Sequence, residues 1–267
     1  MNKMNLKDIQ DTELQILKHF ISICEKHDLR YYLAGGTLLG AVRHHGFIPW
    51  DDDIDVLMPR PDYDKLQKLS KEVNVNNYRL ASHELHNLNY PFCKIYDVST
   101  AINKAFEDDE TEKHLWIDVF PLDGLPESDK ETRQIFRKSL MMRKILTTVH
   151  SKDGTGKSQL KAMFKPVFKK IFSRFVGMKK AVSNIDRFAR SYSFDEHEYV
   201  GGIVWGYGPQ EKMKKSEYIP VIKVPFEDIE ANAPGCYEKY LTALYGDYMK
   251  LPPKEKRITH DMDAWRK

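Results

Sequence analysis

The chain has 267 residues, a formal net charge of +3 and ordinary charged and apolar fractions. That length buries a substantial core and suits one large domain or two small ones, of which one is expected. So small a net charge does not call for a nucleic-acid partner, and any electrostatic argument must be local. Cys24, Cys93 and Cys236 are odd in number and widely spaced, which argues against a zinc site or disulfide framework and for a reducing compartment.

The opening stretch "MNKMNLKDIQDTELQ" has no apolar leader, and no later run approaches a bilayer's thickness, so the expected location is cytoplasmic without a transmembrane anchor. Residues 7–27 place Ile9, Leu14, Ile16, Leu17, Phe20, Ile21 and Cys24 at helical spacing and predict an amphipathic helix. "RYYLAGG" predicts a short strand ending in two glycines, and "TLLGAVRHHG" a short helix with Thr37 as its cap. "DIDVLMP" alternates as a strand until Pro59 stops it, and "DYDKLQKLSKEV" resumes a helical pattern. A loop rich in His and Asn follows, then the strands "FCKIYDV" and "LWIDVFPL" on either side of the acidic turn "EDDETEKH". The expectation is an α/β or α+β fold with a mixed sheet carrying helices over about 30–125, a helical and basic part over about 126–195, and an aromatic, irregular part over 195–267.

The chemistry concentrates in "IPWDDDIDVLMPR", which sets Asp51, Asp52, Asp53 and Asp55 side by side. Like charges about 4 Å apart repel by roughly 4 kcal/mol at an effective dielectric near 20, so the cluster needs a cation or burial to explain it. On a strand Asp53 and Asp55 share one face while Ile54 and Val56 turn to the core, and two such carboxylates suit Mg²⁺ or Mn²⁺. Gly35 and Gly36 ahead of a helix could bring backbone N–H groups to a phosphate, with Thr37 in the same turn. Asp118 in "WIDVF" alternates outward and could complete a metal site or take a proton from an attacking hydroxyl. Each feature alone also reads as a solvated turn or strand end; their order along the chain is that of nucleotidyltransferase-type sites. "GTGKS" at 154–158 is not a P-loop, because Ser151 stands where the motif needs glycine.

The residues "LAGGTLLGAVRHHGFIPWDDDIDVLMPR", with "FCKIYD", "WIDVFPLDGLP" and "YEKYLTALYGDYMKLPP" downstream, closely resemble the LicD family of phosphocholine transferases, with fukutin-type phosphotransferases as more distant relatives. The resemblance is dense over about 31–126 and implies a single LicD-like domain over 1–267 with a nucleotidyltransferase-like fold. It implies transfer of phosphocholine from CDP-choline to a hydroxyl of a cell-surface glycan precursor such as teichoic acid. Asp53, Asp55 and Asp118 would be its metal ligands and catalytic acids, and Gly35, Gly36 and Thr37 its phosphate turn. Arg43 and Lys94 would be cations near the donor phosphates, while Asp51 and Asp52 brace the site from behind. Trp205 and Tyr207 are candidates for a quaternary-ammonium cage, or else plain core aromatics at a turn. Transfer of a nucleoside monophosphate, and non-catalytic binding of a glycan or nucleotide on the same fold, are the competing readings.

Residues 157–180, "KSQLKAMFKPVFKKIFSRFVGMKK", carry no acid and set Leu160, Phe164, Phe168, Phe172 and Phe175 opposite Lys161, Lys165, Lys169 and Arg174. This basic amphipathic pattern either packs on the core or docks on an anionic membrane surface.

Overall fold

The computed structural model describes residues 1–103, 113–150, 177–257 and 263–267. Strand β1 (Asn2–Lys3) leads into α1 (Leu6–Lys26), where Asn5 and Asp8 exchange side-chain and backbone hydrogen bonds in a capping box. The apolar stripe of α1 buries Ile9, Ile16, Leu17 and Phe20, each such side chain worth about 1.5–3 kcal/mol relative to exposure. Next come β2 (Tyr32–Leu33), α2 (Gly35–His44), β3 (Asp55–Pro59), α3 (Arg60–Lys68), α4 (Ser70–Val73), β4 (Tyr78–Ala81), β5 (Cys93–Asp97), β6 (Thr100–Asn103) and β7 (Leu115–Leu125). The remainder is α5 (Asp129–His150), α6 (Met178–Arg190), β8 (Tyr199–Gly201), β9 (Met213–Lys214), α7 (Lys215–Tyr218), β10 (Val221–Phe226), β11 (Ile229–Pro234), α8 (Tyr237–Tyr245) and β12 (Asp263–Arg266).

The main sheet runs β2-β3-β7-β5-β4, with β8 and β9 added along the second half of β7. β3 and β7 are parallel and the other neighbours antiparallel, so the expected mixed sheet flanked by helices is present. β12 lies between β1 and β6 in a second sheet, and β10 and β11 form a hairpin. One large core gathers side chains from α1, β2, β3, β5, β7, the hairpin and α8, and a second lies where α5 and α6 meet Leu125, Ile203 and Val204.

Several sequence expectations need correction. Helix α2 begins at Gly35 with Ala34 as its cap residue, so Thr37 sits inside the first turn rather than capping it. β3 begins at Asp55, which leaves Asp53 in the loop ahead of the strand. The loop rich in His and Asn contains β4, whose four residues are too short to show a period. The supposedly irregular C-terminal part holds strands and, among the described residues, two α-helices; the β10–β11 hairpin turns at Glu227, which accepts a left-handed φ of 54°. "GTGKS" and residues 157–176 lie outside the described residues. Among the described residues no helix is long and apolar enough to cross a membrane.

Candidate active site

Strand register builds the site. Asp55 of β3 is the Cα partner of Asp118 of β7, and Asp118 is in turn the partner of Lys94 of β5. Residues paired across neighbouring strands point to the same face, so the sheet presents Asp55, Asp118 and Lys94 as one row. Two residues on, Leu57 and Phe120 continue that face, while Val56 and Val119 are fully buried on the other. Asp55, Asp118, Leu57 and Phe120 line a cavity of about 340 Å³ together with Ala34 and Asp53.

The glycine turn is used differently from the expectation. Gly35 has φ 49°, and a Cβ there would stand 2.6 Å from the Tyr207 hydroxyl; a Cβ on Gly36 would stand 3.0 Å from Asp51 Oδ2. The Asp51 carboxylate thus lies against the first turn of α2, where its charge meets the positive end of the helix. Its carbonyl accepts from Gln10 Nε2 at 2.8 Å, which anchors the acidic loop to α1, and Asp52 is buried. The Thr37 hydroxyl accepts from the Asp55 backbone N–H at 2.8 Å and so fixes the start of β3. Ala34 rather than Gly35, Gly36 or Thr37 is on the cavity wall.

The expected cations are also placed. Lys94 is buried, with Nζ 4.1 Å from the Trp116 ring centroid, 4.8 Å from that of Tyr90 and 4.0 Å from Asp118 Oδ1. It flanks Asp118 in that row without lining the cavity itself. Arg43 donates to the Tyr248 carbonyl at 2.8 Å and so holds the segment after α8 against α2. Trp205 and Tyr207 do line the cavity. Arg143 of α5 lies over the Trp205 ring, its guanidinium carbon 5.5 Å from the centroid, while Tyr90 and Phe92 pack edgewise on the same indole.

Glu13, Glu211 and Arg143 were missed by sequence reasoning. Glu13 is buried on α1, and burial, reinforced by Asp53, Asp52 and Asp51, pushes its carboxyl well above the usual range. A signal existed: position 13 falls on the apolar stripe, four residues after Ile9 and three before Ile16. Glu211 lines the cavity; Oε2 accepts from the Tyr207 N–H at 2.8 Å and Oε1 from the Tyr240 hydroxyl at 3.2 Å. Burial raises it to about 7 against the hydrogen bonds that lower it. No sequence pattern points to Glu211 or to Arg143, because each reaches the cavity only through the tertiary fold.

Burial, then Asp53 and Asp118, push Asp55 well above the carboxylate range. A wall of crowded hard oxygen donors is the set that Mg²⁺ or Mn²⁺ takes, so the donor chemistry fits such an ion. Among the described residues no three acidic, His or Cys side chains already converge as an ion would require, so binding would draw them inward or use substrate oxygens.

The site is thus a pair of acids on adjacent strands of a mixed sheet, set beside a helix opened by glycine. The family profile described as LicD/FKTN/FKRP, nucleotidyltransferase domain, matches residues 28–144. The lipopolysaccharide cholinephosphotransferase LicD of Haemophilus influenzae is 32% identical over 264 residues, covering 97% of each chain. An uncharacterized protein of Rickettsia prowazekii is 29% identical over 113 residues, 42% of this chain and 40% of its own. The human ribitol 5-phosphate transferase FKRP is 46% identical over 39 residues, 15% of this chain and 8% of its own. The chain belongs to the LicD family.

Proposed function

We propose that the protein transfers phosphocholine from CDP-choline to a hydroxyl of a cell-surface glycan precursor. The observation that carries this reading is the side-by-side placement of Asp55 and Asp118 across β3 and β7, on the wall of a cavity whose other side is aromatic. The near full-length likeness to a lipopolysaccharide cholinephosphotransferase supports choline phosphate as the group moved and a lipopolysaccharide-type glycan as the acceptor.

Phosphoryl transfer is largely positioning and charge neutralisation. A divalent cation on Asp53, Asp55 and Asp118 would supply neutralisation of the donor's diphosphate. Asp118, with the Lys94 ammonium 4.0 Å away, takes the proton from the acceptor hydroxyl. The acceptor oxygen then bonds to the choline phosphorus as the bond to the CMP oxygen breaks. Tyr207 offers its ring face to the trimethylammonium group.

Asp55→Asn is expected to lower transfer by about 100-fold or more while leaving the fold intact, because it removes charge from the centre of the acidic wall. Choline-labelled and cytidine-labelled donors separate the two transferase readings by which label reaches the glycan. An activated ribitol 5-phosphate belongs in the same assay, since a 39-residue stretch of the chain is 46% identical to a ribitol 5-phosphate transferase. An Asn variant with unaltered metal-dependent transfer removes the reading.

The basic pattern at 157–180 adds peripheral docking on the inner face of the membrane to this reading, suited to a lipid-carried acceptor. Sedimentation with anionic vesicles should retain the wild type and lose a variant carrying Lys165, Lys169 and Lys170 as Glu; equal retention removes the docking claim.

A further inference from the structure

Among the described residues, those that line the cavity carry four carboxyl groups, Asp53, Asp55, Asp118 and Glu211, and one basic side chain, Arg143. Arg143 Nη1 donates to the Gly206 carbonyl at 3.0 Å, its Nε–H is buried without an acceptor, and among the described residues no ion pair neutralises it. Desolvation accordingly lowers its pKa. A guanidinium seated over an indole ring with most of its fork uncommitted can grip an oxyanion, and phosphate matches that fork in a bidentate way.

Its seat is built. A Cβ on Gly206 would strike Glu211 Oε2 at 2.0 Å and the Gly202 carbonyl at 2.1 Å, so the loop that presents the Gly206 carbonyl to Arg143 is packed too closely there for any side chain. Glu211 fixes the same loop through the Tyr207 N–H. Lys94 and Arg43 are committed elsewhere, one beside Asp118 and one to the Tyr248 carbonyl.

We infer that Arg143 is the phosphate-binding side chain of this cavity, gripping the phosphate of the nucleoside monophosphate that leaves the donor, with Trp205 as its platform. The inference rests on the function proposed above for the identity of that nucleotide. It gives Trp205 a different task from the expected ammonium cage: its face carries the guanidinium, and the choline end is left to Tyr207.

Calorimetric titration of the full chain with CMP, AMP and cytidine tests it. Arg143→Gln should weaken CMP by about 10- to 100-fold and leave cytidine unchanged, because cytidine lacks the phosphate. Arg143→Lys should fall between, keeping charge without the fork, and Trp205→Leu should weaken CMP by a smaller factor. CMP affinity unchanged in Arg143→Gln, with its melting temperature at the wild-type value, overturns the inference. So does a wild type that binds neither nucleotide. AMP bound as well as CMP, with both lost in Arg143→Gln, keeps the Arg143 seat and instead overturns the cytidine-donor reading. The ratio of CMP to cytidine affinity is the deciding readout, since a merely structural Arg143 would change both together.

Discussion

At Gly35 two constraints coincide: a left-handed φ of 49° and a tyrosine hydroxyl where a side chain would begin. Gly35→Ala should cost about 1–2 kcal/mol from the backbone alone, more from displacing Tyr207, and should raise the donor KM. Adding Tyr207→Phe removes the closest atom and should recover part of the stability; thermal melts of the single and double variants check this, and an unaltered Gly35→Ala melt would contradict it. Asp55 and Asp118 were legible in sequence because a strand's period of two turns a lone acid outward from apolar neighbours. Gly35 and Gly36 were legible as special, but their use was not: which atoms crowd a missing Cβ depends on Tyr207 and Asp51 arriving from elsewhere in the chain.

The elements around the site are tied by an ionic chain that is buried at its Arg60–Asp123 end. Arg60 of α3 grips Asp123 of β7 through Nε at 2.7 Å and Nη2 at 2.9 Å, and reaches Asp186 of α6 at 2.8 Å; Arg190 of α6 joins Asp186 to Asp64 of α3. Removing one partner strands a desolvated charge, so Asp123→Ala should destabilise by about 3–5 kcal/mol. Urea unfolding measures it, and a loss under 1 kcal/mol would show that water reaches Arg60 after all. Strands with a clear period and helices with a clear stripe were readable, including β3, β5, β7 and α1. The chain of ion pairs was not, because its members are spread from residue 60 to residue 190 and each alone reads as a surface charge.

For the molecule as a whole, buried acids set how stability depends on pH. Glu211 is raised to about 7 from an ordinary 4.5, and Glu13 and Asp55 are raised in the same direction. A group whose folded pKa is raised contributes stability that is complete below its unfolded pKa and lost as pH climbs through the folded one. The metal-free protein should therefore lose stability between about pH 4.5 and 7 relative to Glu211→Gln, which carries no charge to bury. Melting curves across that interval check it, and parallel curves for the two proteins would refute it. The cavity itself has a consequence for synthesis. One wall comes from residues complete by position 125 and the other from Arg143 and residues 202–240, so a ribosome-bound chain carries Asp53, Asp55 and Asp118 long before it has a site. The site is therefore assembled only when the chain through residue 240 has emerged and docked, and a translation product interrupted before it is inert rather than partly active.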